Sequence, residues 1–221
     1  MFLKAYALYW HGYLARSYGE FNDSVQWYRR SLPLWRELKI EVQAATTLND
    51  LSWAEAETGA FEAALSHCKD GLELRRQLGQ PYLVALSLNT LGLIEIRHGK
   101  PETARHHCGQ ALEIFRRAED ARGIGLACLA LAEALRRTTN TDRFVYDEKM
   151  KIEYLTEAEK RAQEAVKIFT EMVKNEPLRL VEAYMELGCI YREWIRQPGA
   201  QPEREEKTGQ GHAAFEQAVN R

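Results

Sequence analysis

Three glycines, Gly19, Gly59 and Gly99, stand forty residues apart, twice in succession, and this interval constrains the fold more than any other feature of the chain. A fixed period of that length marks a repeat architecture, in which one supersecondary unit stacks on the next. The strings around the glycines agree. Gly19-Glu20-Phe21, Gly59-Ala60-Phe61 and Gly99-Lys100-Pro101 each close one helix-period segment and open another. A glycine past a helix end takes the left-handed conformation that terminates the last turn, and proline suits the first turn of the helix that follows. The period therefore predicts pairs of helices.

The segments on either side of each glycine repeat as well. Before it, Leu8-x-x-His11-Gly12, Leu48-x-x-Leu51-Ser52, Leu88-x-x-Leu91-Gly92 and Cys128-x-x-Leu131-Ala132 fall in register. After it come Ser24/Tyr28/Ser31, Ala64/Cys68/Gly71 and Ala104/Cys108/Ala111. Small residues at three- and four-residue spacing make a flat stripe on which a second helix can lie close. Composition supports helix throughout: 45% of the 221 residues are apolar and 28% charged, and β-branched alternation is missing.

These patterns resemble the tetratricopeptide repeat family, whose signature is W-x2-L-G-x2-Y followed by A-x3-F. The best single match is Tyr184-x-x-Leu187-Gly188-x-x-Tyr191. The forty-residue spacing resembles the long-helix variants of kinesin light chains and of the sensor arrays of bacterial STAND-type signalling NTPases of maltose-activator type. The strings ATTLNDL, QLGQP and SLNTLG and the pairs Arg75-Arg76 and Arg116-Arg117 share that character. The resemblance implies an all-α, right-handed solenoid of about five antiparallel helix pairs. One domain over 1–221 is expected, with repeats near 3–40, 41–80, 81–120, 121–175 and 178–221. Two stretches depart from the period: 138–151, a polar loop running into a lengthened second helix, and 197–209, rich in Pro, Gly, Glu and Lys.

In such arrays the first helix of each pair lines the concave, ligand-binding side. Residues spaced 3, 4 and 3 apart share one helix face. The expected sets are Tyr6/Tyr9/Tyr13/Arg16, Thr46/Asn49/Trp53/Ala56, Leu86/Asn89/Leu93/Ile96, Leu126/Leu129/Glu133/Arg136 and Glu182/Met185/Cys189/Arg192. From these, Tyr6, Tyr9, Tyr13, Trp53 and Leu93 are candidate apolar anchors, since aromatic area is enriched at interfaces. They are equally suited to packing against a neighbouring repeat or one another. Asn49 and Asn89 are repeat-equivalent, and an amide facing solvent can pair with both polar groups of an extended peptide. Arg136, Arg137 and Arg192 could clamp a carboxylate or phosphate, although cations near helix C-termini are favourable without any ligand.

Other chemistries find little footing. His106-His107-Cys108 suggests a metal, but Ser66-His67-Cys68 is its counterpart one repeat earlier, and adjacent helical residues diverge by about 100°. No nucleotide, hydrolase or metalloprotease motif occurs. Glu55 and Glu57 read as a solvated pair, as do Glu203, Glu205 and Glu206. A formal charge of −2 speaks against nucleic acid or an anionic membrane as partner. The N-terminus lacks the pattern of a signal peptide. Four scattered cysteines read as reduced thiols of a cytoplasmic protein. The expectation is a non-catalytic module without cofactor or metal that binds a protein or peptide, as the sensing segment of a longer multidomain STAND-type protein. A small-molecule sensor and an oligomerisation scaffold are the alternatives.

Overall fold

The computed structural model describes residues 1–141, 147–171, 176–197 and 204–220, with the side chains of residues 204 and 205 excepted. The described residues form helices and turns, with no strand. In chain order the helices are α1 (Phe2–Ser17), α2 (Phe21–Glu37), α3 (Glu41–Glu57), α4 (Phe61–Gln77), α5 (Pro81–Arg97) and α6 (Pro101–Arg117). They continue as α7 (Ala121–Thr138), α8 (Glu148–Glu171), α9 (Pro177–Ile195) and α10 (Arg204–Val219). The glycine period is thus a helix-pair period. Helix α8 begins inside the first departing stretch, whose residues 142–146 lie outside the described residues, as do 198–203 of the second.

The chain divides into two compact units, Met1–Gly99 and Lys100–Arg221. In the first, α1 packs on α2 and α3, α3 on α2, α4 and α5, and α4 on α5. In the second, α6 packs on α7, α7 on α8 and α9, and α9 on α8 and α10. Every helix therefore meets mainly its neighbours in sequence, which is how repeat proteins bury surface.

The turns recur every twenty residues, twice per repeat. Gly19, Gly59, Gly79 and Gly99 have φ between 65° and 82°, and Lys39 and Glu119 occupy the same place with φ of 55° and 53°. At Gly19, Lys39, Gly59, Gly79 and Glu119 the amide after the turn residue reaches back five positions, as Glu20 N does to Ala15 O and Ala60 N to Glu55 O. This satisfies carbonyls that a helix end leaves open.

Close approach explains the small-residue stripes. A Cβ on Gly12 would stand 2.8 Å from the Tyr28 ring, so the ring occupies the space a side chain would take. Ser24 and Ser31 of α2 donate to the carbonyls of Gly12 and Ala5 on α1, at 2.9 and 2.8 Å. Around them Ala5, Tyr28, Leu32, Trp35, Leu48 and Leu51 form the core of the first unit. Each large side chain buried there contributes about 1.5–3 kcal/mol. The second unit is built alike, on Cys108, Phe115, Cys128, Leu155, Ala162 and Phe169.

Candidate ligand-binding face

In the first unit, α3 keeps Thr46, Asp50, Trp53 and Glu57 partly in water, and α5 keeps Leu86, Thr90, Leu93 and Arg97. Positions at 4-3-4 spacing thus stay open on both helices, with Asn49 half-buried beside them on α3, whereas the sets read from the sequence ran at 3-4-3. Ala56, Ile96 and Asn89, expected on the open face, are buried. The difference arises because several neighbours press on a first helix at once, α3 meeting α1, α2, α4 and α5. Their combined footprint rotates the remaining window by part of a turn.

This rotation corrects the asparagine assignment. Asn89 is 8% exposed, and its carbonyl oxygen finds no hydrogen-bond partner among the described residues. The half-buried Asn49 uses its amide oxygen to accept from Ser87 Oγ at 3.3 Å. Arg75 of α4 donates to the same Ser87 hydroxyl at 2.6 Å and to Leu83 O at 3.1 Å. Asn49 thus sits where α3 meets α5 and Asn89 is buried, so neither is a solvent-facing amide.

The aromatic expectations divide. Tyr9 turns inward and donates to Asp50 Oδ2 at 2.7 Å, linking α1 to α3. Burial, followed by the nearby Asp50 charge, raises its phenol far above the usual tyrosine range. Burial likewise pushes the Asp50 carboxyl up, against the pull of Arg16 and of the Tyr9 hydrogen bond. Tyr6 and Tyr13 are exposed on α1. Trp53 remains half-buried on the open face, with the Arg97 guanidinium 4.4 Å over its ring. Arg97 also pairs with Glu57 at 2.6 Å. Leu93 lies beside them in register, half-buried.

In the second unit Arg136 and Arg137 are committed internally. Arg136 of α7 grips both oxygens of Glu186 on α9 through Nε and Nη2, the latter at 3.0 Å, and both side chains are largely buried. That engagement removes Arg136 as a free anion clamp. Arg137 pairs with Glu133 one turn earlier at 2.8 Å. Arg192 is exposed on α9 beside the exposed Met185 and the half-buried Cys189. Glu182, Met185, Cys189 and Arg192 thus keep the expected spacing on that helix.

A second correction concerns Glu55, read as solvated. It is completely buried, accepting from Arg29 of α2 at 2.8 Å and meeting His67 Nδ1 of α4 at 2.7 Å. The sequence held a signal for it: Glu55 and His67 are twelve apart, and so are Glu95 and His107 one repeat later. A cavity of about 440 Å3 lies between α2 and α4, away from the open face, with Trp35, Leu48 and Leu74 beneath a rim of Arg36, Lys39 and Glu73. Among the described residues no group of three or more His, Cys, Asp or Glu side chains could hold a metal ion. Nor is any helix among them long and apolar enough to cross a membrane.

Similarity to known proteins follows the same lines. The tetratricopeptide repeat family profile matches residues 44–78 and 84–122. Among curated proteins none matches in sequence. The structure of BtubC (BKLC) from P. vanneervenii is similar, with a TM-score of 0.68 and 18% identity over 95% of this chain and 78% of that one. The nearly identical TPR-like repeats of a kinesin-light-chain-like protein from Podosopora anserina give a TM-score of 0.67 and 14% identity, over 94% and 93%. A Rap protein complexed with Competence and Sporulation Factor gives 0.59 and 16%, over 98% of this chain and 64% of that one. At these identities the likeness is one of fold. Residues 44–78 and 84–122 match the tetratricopeptide repeat family, within an all-α array of helix pairs whose fold is similar to that of the kinesin-light-chain-like repeats.

Proposed function

We propose that this chain is a non-catalytic recognition module that holds a protein or peptide segment on the open face of α3 and α5. The observation that carries the reading is the composition of that face. Trp53, Leu86 and Leu93 offer partly desolvated apolar area, while its one guanidinium, Arg97, is neutralised by Glu57 and laid over Trp53. A ligand there gains by inserting apolar side chains. A lone carboxylate or phosphate would have to displace Glu57 first, so the segment recognised is apolar and not a charged terminus. The similar Rap protein is known in complex with Competence and Sporulation Factor, and that precedent for ligand binding by the fold supports the reading. In this role the chain serves as the ligand-sensing segment of a larger STAND-type signalling or defence protein, a context supported by its ATTLNDL and SLNTLG strings.

The test uses displayed random peptides selected on the intact chain. Trp53→Ala and Leu93→Ala, each at a half-buried anchor, are expected to weaken the selected peptides by roughly tenfold or more, since interface anchors contribute about 2 kcal/mol each. Circular dichroism should be unchanged. Peptides that bind both variants as tightly as the parent would refute the assignment of the face.

A further inference from the structure

The densest run of exposed apolar side chains among the described residues is on α1. Phe2, Leu3, Tyr6, Trp10, Tyr13 and Leu14 are all exposed, between 37% and 79%. Their rings form a continuous ladder, with centroids 6.1 Å apart for Phe2–Tyr6, 6.0 Å for Tyr6–Trp10 and 5.2 Å for Trp10–Tyr13. The opposite side of α1 is buried through Ala5, Leu8, Gly12 and Ala15. The flank of the strip at Ala7 and Leu14 has fully buried counterparts on α3 and α5, namely Thr47, Ala54, Ser87 and Ile94. Its centre, at Tyr6 and Tyr13, has the partly exposed counterparts Thr46 and Trp53. Patches of this kind mark interaction sites.

We propose that α1 is a self-association seam, which pairs antiparallel with α1 of a second copy of this chain about a two-fold axis at Trp10. Leu3, Tyr6, Trp10, Tyr13 and Ser17 follow 3-4-3-4 spacing, the pattern of a helix–helix seam. Turned about Trp10, the strip is complementary to itself. Tyr13 shares a layer with Ala7, Leu3 with Ser17 and Tyr6 with Leu14, and Trp10 meets its own copy, so apolar side chains line the seam through its centre. Charge agrees. At about 100° per residue no charged residue falls within the strip, and Lys4 and Arg16 lie on its opposite flanks, so no two cations meet across the pair. Area agrees as well. Side chains of this size leave on the order of 700 Å2 per copy in water, and two copies would bury roughly 1,400 Å2, within the range of specific interfaces. The seam lies on α1 and the proposed ligand face on α3 and α5 uses repeat-equivalent positions, so separate variants distinguish the two.

Sedimentation equilibrium on the whole chain tests this. A concentration-dependent dimer is expected, and Trp10→Glu or Leu14→Glu should raise its dissociation constant at least tenfold while leaving helix content unchanged. Trp53→Ala should leave the dimer intact. Under mild oxidation Trp10→Cys should cross-link to itself, because only the residue on the axis meets its own copy. A chain that stays monomeric to its solubility limit would overturn the proposal. So would a dimer insensitive to both glutamates, a dimer without the cross-link, or a monomer whose α1 instead takes up anionic phosphatidylserine vesicles.

Discussion

Glu55 has no solvent exposure, whereas its partners Arg29 and His67 retain 50% and 28%. That asymmetry decides what mutation costs. Glu55→Gln leaves Arg29 and His67, whose side chains can turn to water, and a loss of about 1 kcal/mol is expected. Arg29→Ala with His67→Ala strands a buried anion, and about 3 kcal/mol or more should go. Urea denaturation of both variants compares the two, and equal losses would contradict the account. Asp50 presents the reverse situation. Its carboxyl is raised in the folded state by burial, so the fold favours its protonated form. The stabilisation from that preference is complete below the ordinary aspartate value of about 3.9 and disappears as pH rises through the raised value. At neutral pH the buried charge therefore opposes folding. Asp50→Asn, still able to accept from Tyr9, is expected to raise the neutral-pH melting temperature and to narrow the gap between acid and neutral stability. Among the thiols, burial lifts Cys68 and Cys128 to about 12, which keeps them protonated and shielded. Cys189 is the one cysteine not fully enclosed. Native-state alkylation followed by mass spectrometry should modify it first.

Between helices, six turns at one period share a left-handed residue, yet only four of them are glycine. At Lys39 and Glu119 a side chain accepts a conformation that costs L-residues about 1–2 kcal/mol. Replacing either with glycine should relieve that strain, less the extra entropy glycine has when unfolded. A gain of roughly 0.5–1 kcal/mol each is expected from thermal unfolding, and the two should add because they lie in separate units. Within the pairs the sensitive point is Gly12. Gly12→Ala drives a methyl group into the Tyr28 ring and should cost about 1–3 kcal/mol, whatever alanine adds in helix propensity.

Over the molecule as a whole, helices contact chiefly those next to them in sequence within each unit. Native contacts of short sequence separation close small loops, and such topologies fold quickly. Stopped-flow refolding is expected to finish within milliseconds, without dependence on reducing agent, since the cysteines are free. A phase lasting seconds would show that ordering beyond neighbouring helices controls folding.

What the chain discloses on its own is periodic. Gly19, Gly59 and Gly99 announce the helix pairs, and Ser24, Ala64 and Ala104 announce which side of the second helix is approached, because close packing tolerates only small residues at regular places. The family likeness follows from the same spacing. The exact window left open on each first helix depends instead on how its neighbours share its circumference. A rotation of about 50° moved Asn89 inside and kept Thr90 and Arg97 in contact with water. Likewise no local pattern tells that Glu57 neutralises Arg97, or that Glu186 neutralises Arg136 from fifty residues away. Spacing along one helix is a local property that the sequence carries in full, whereas the partner of a charge is chosen by three-dimensional proximity, which only the packed structure decides.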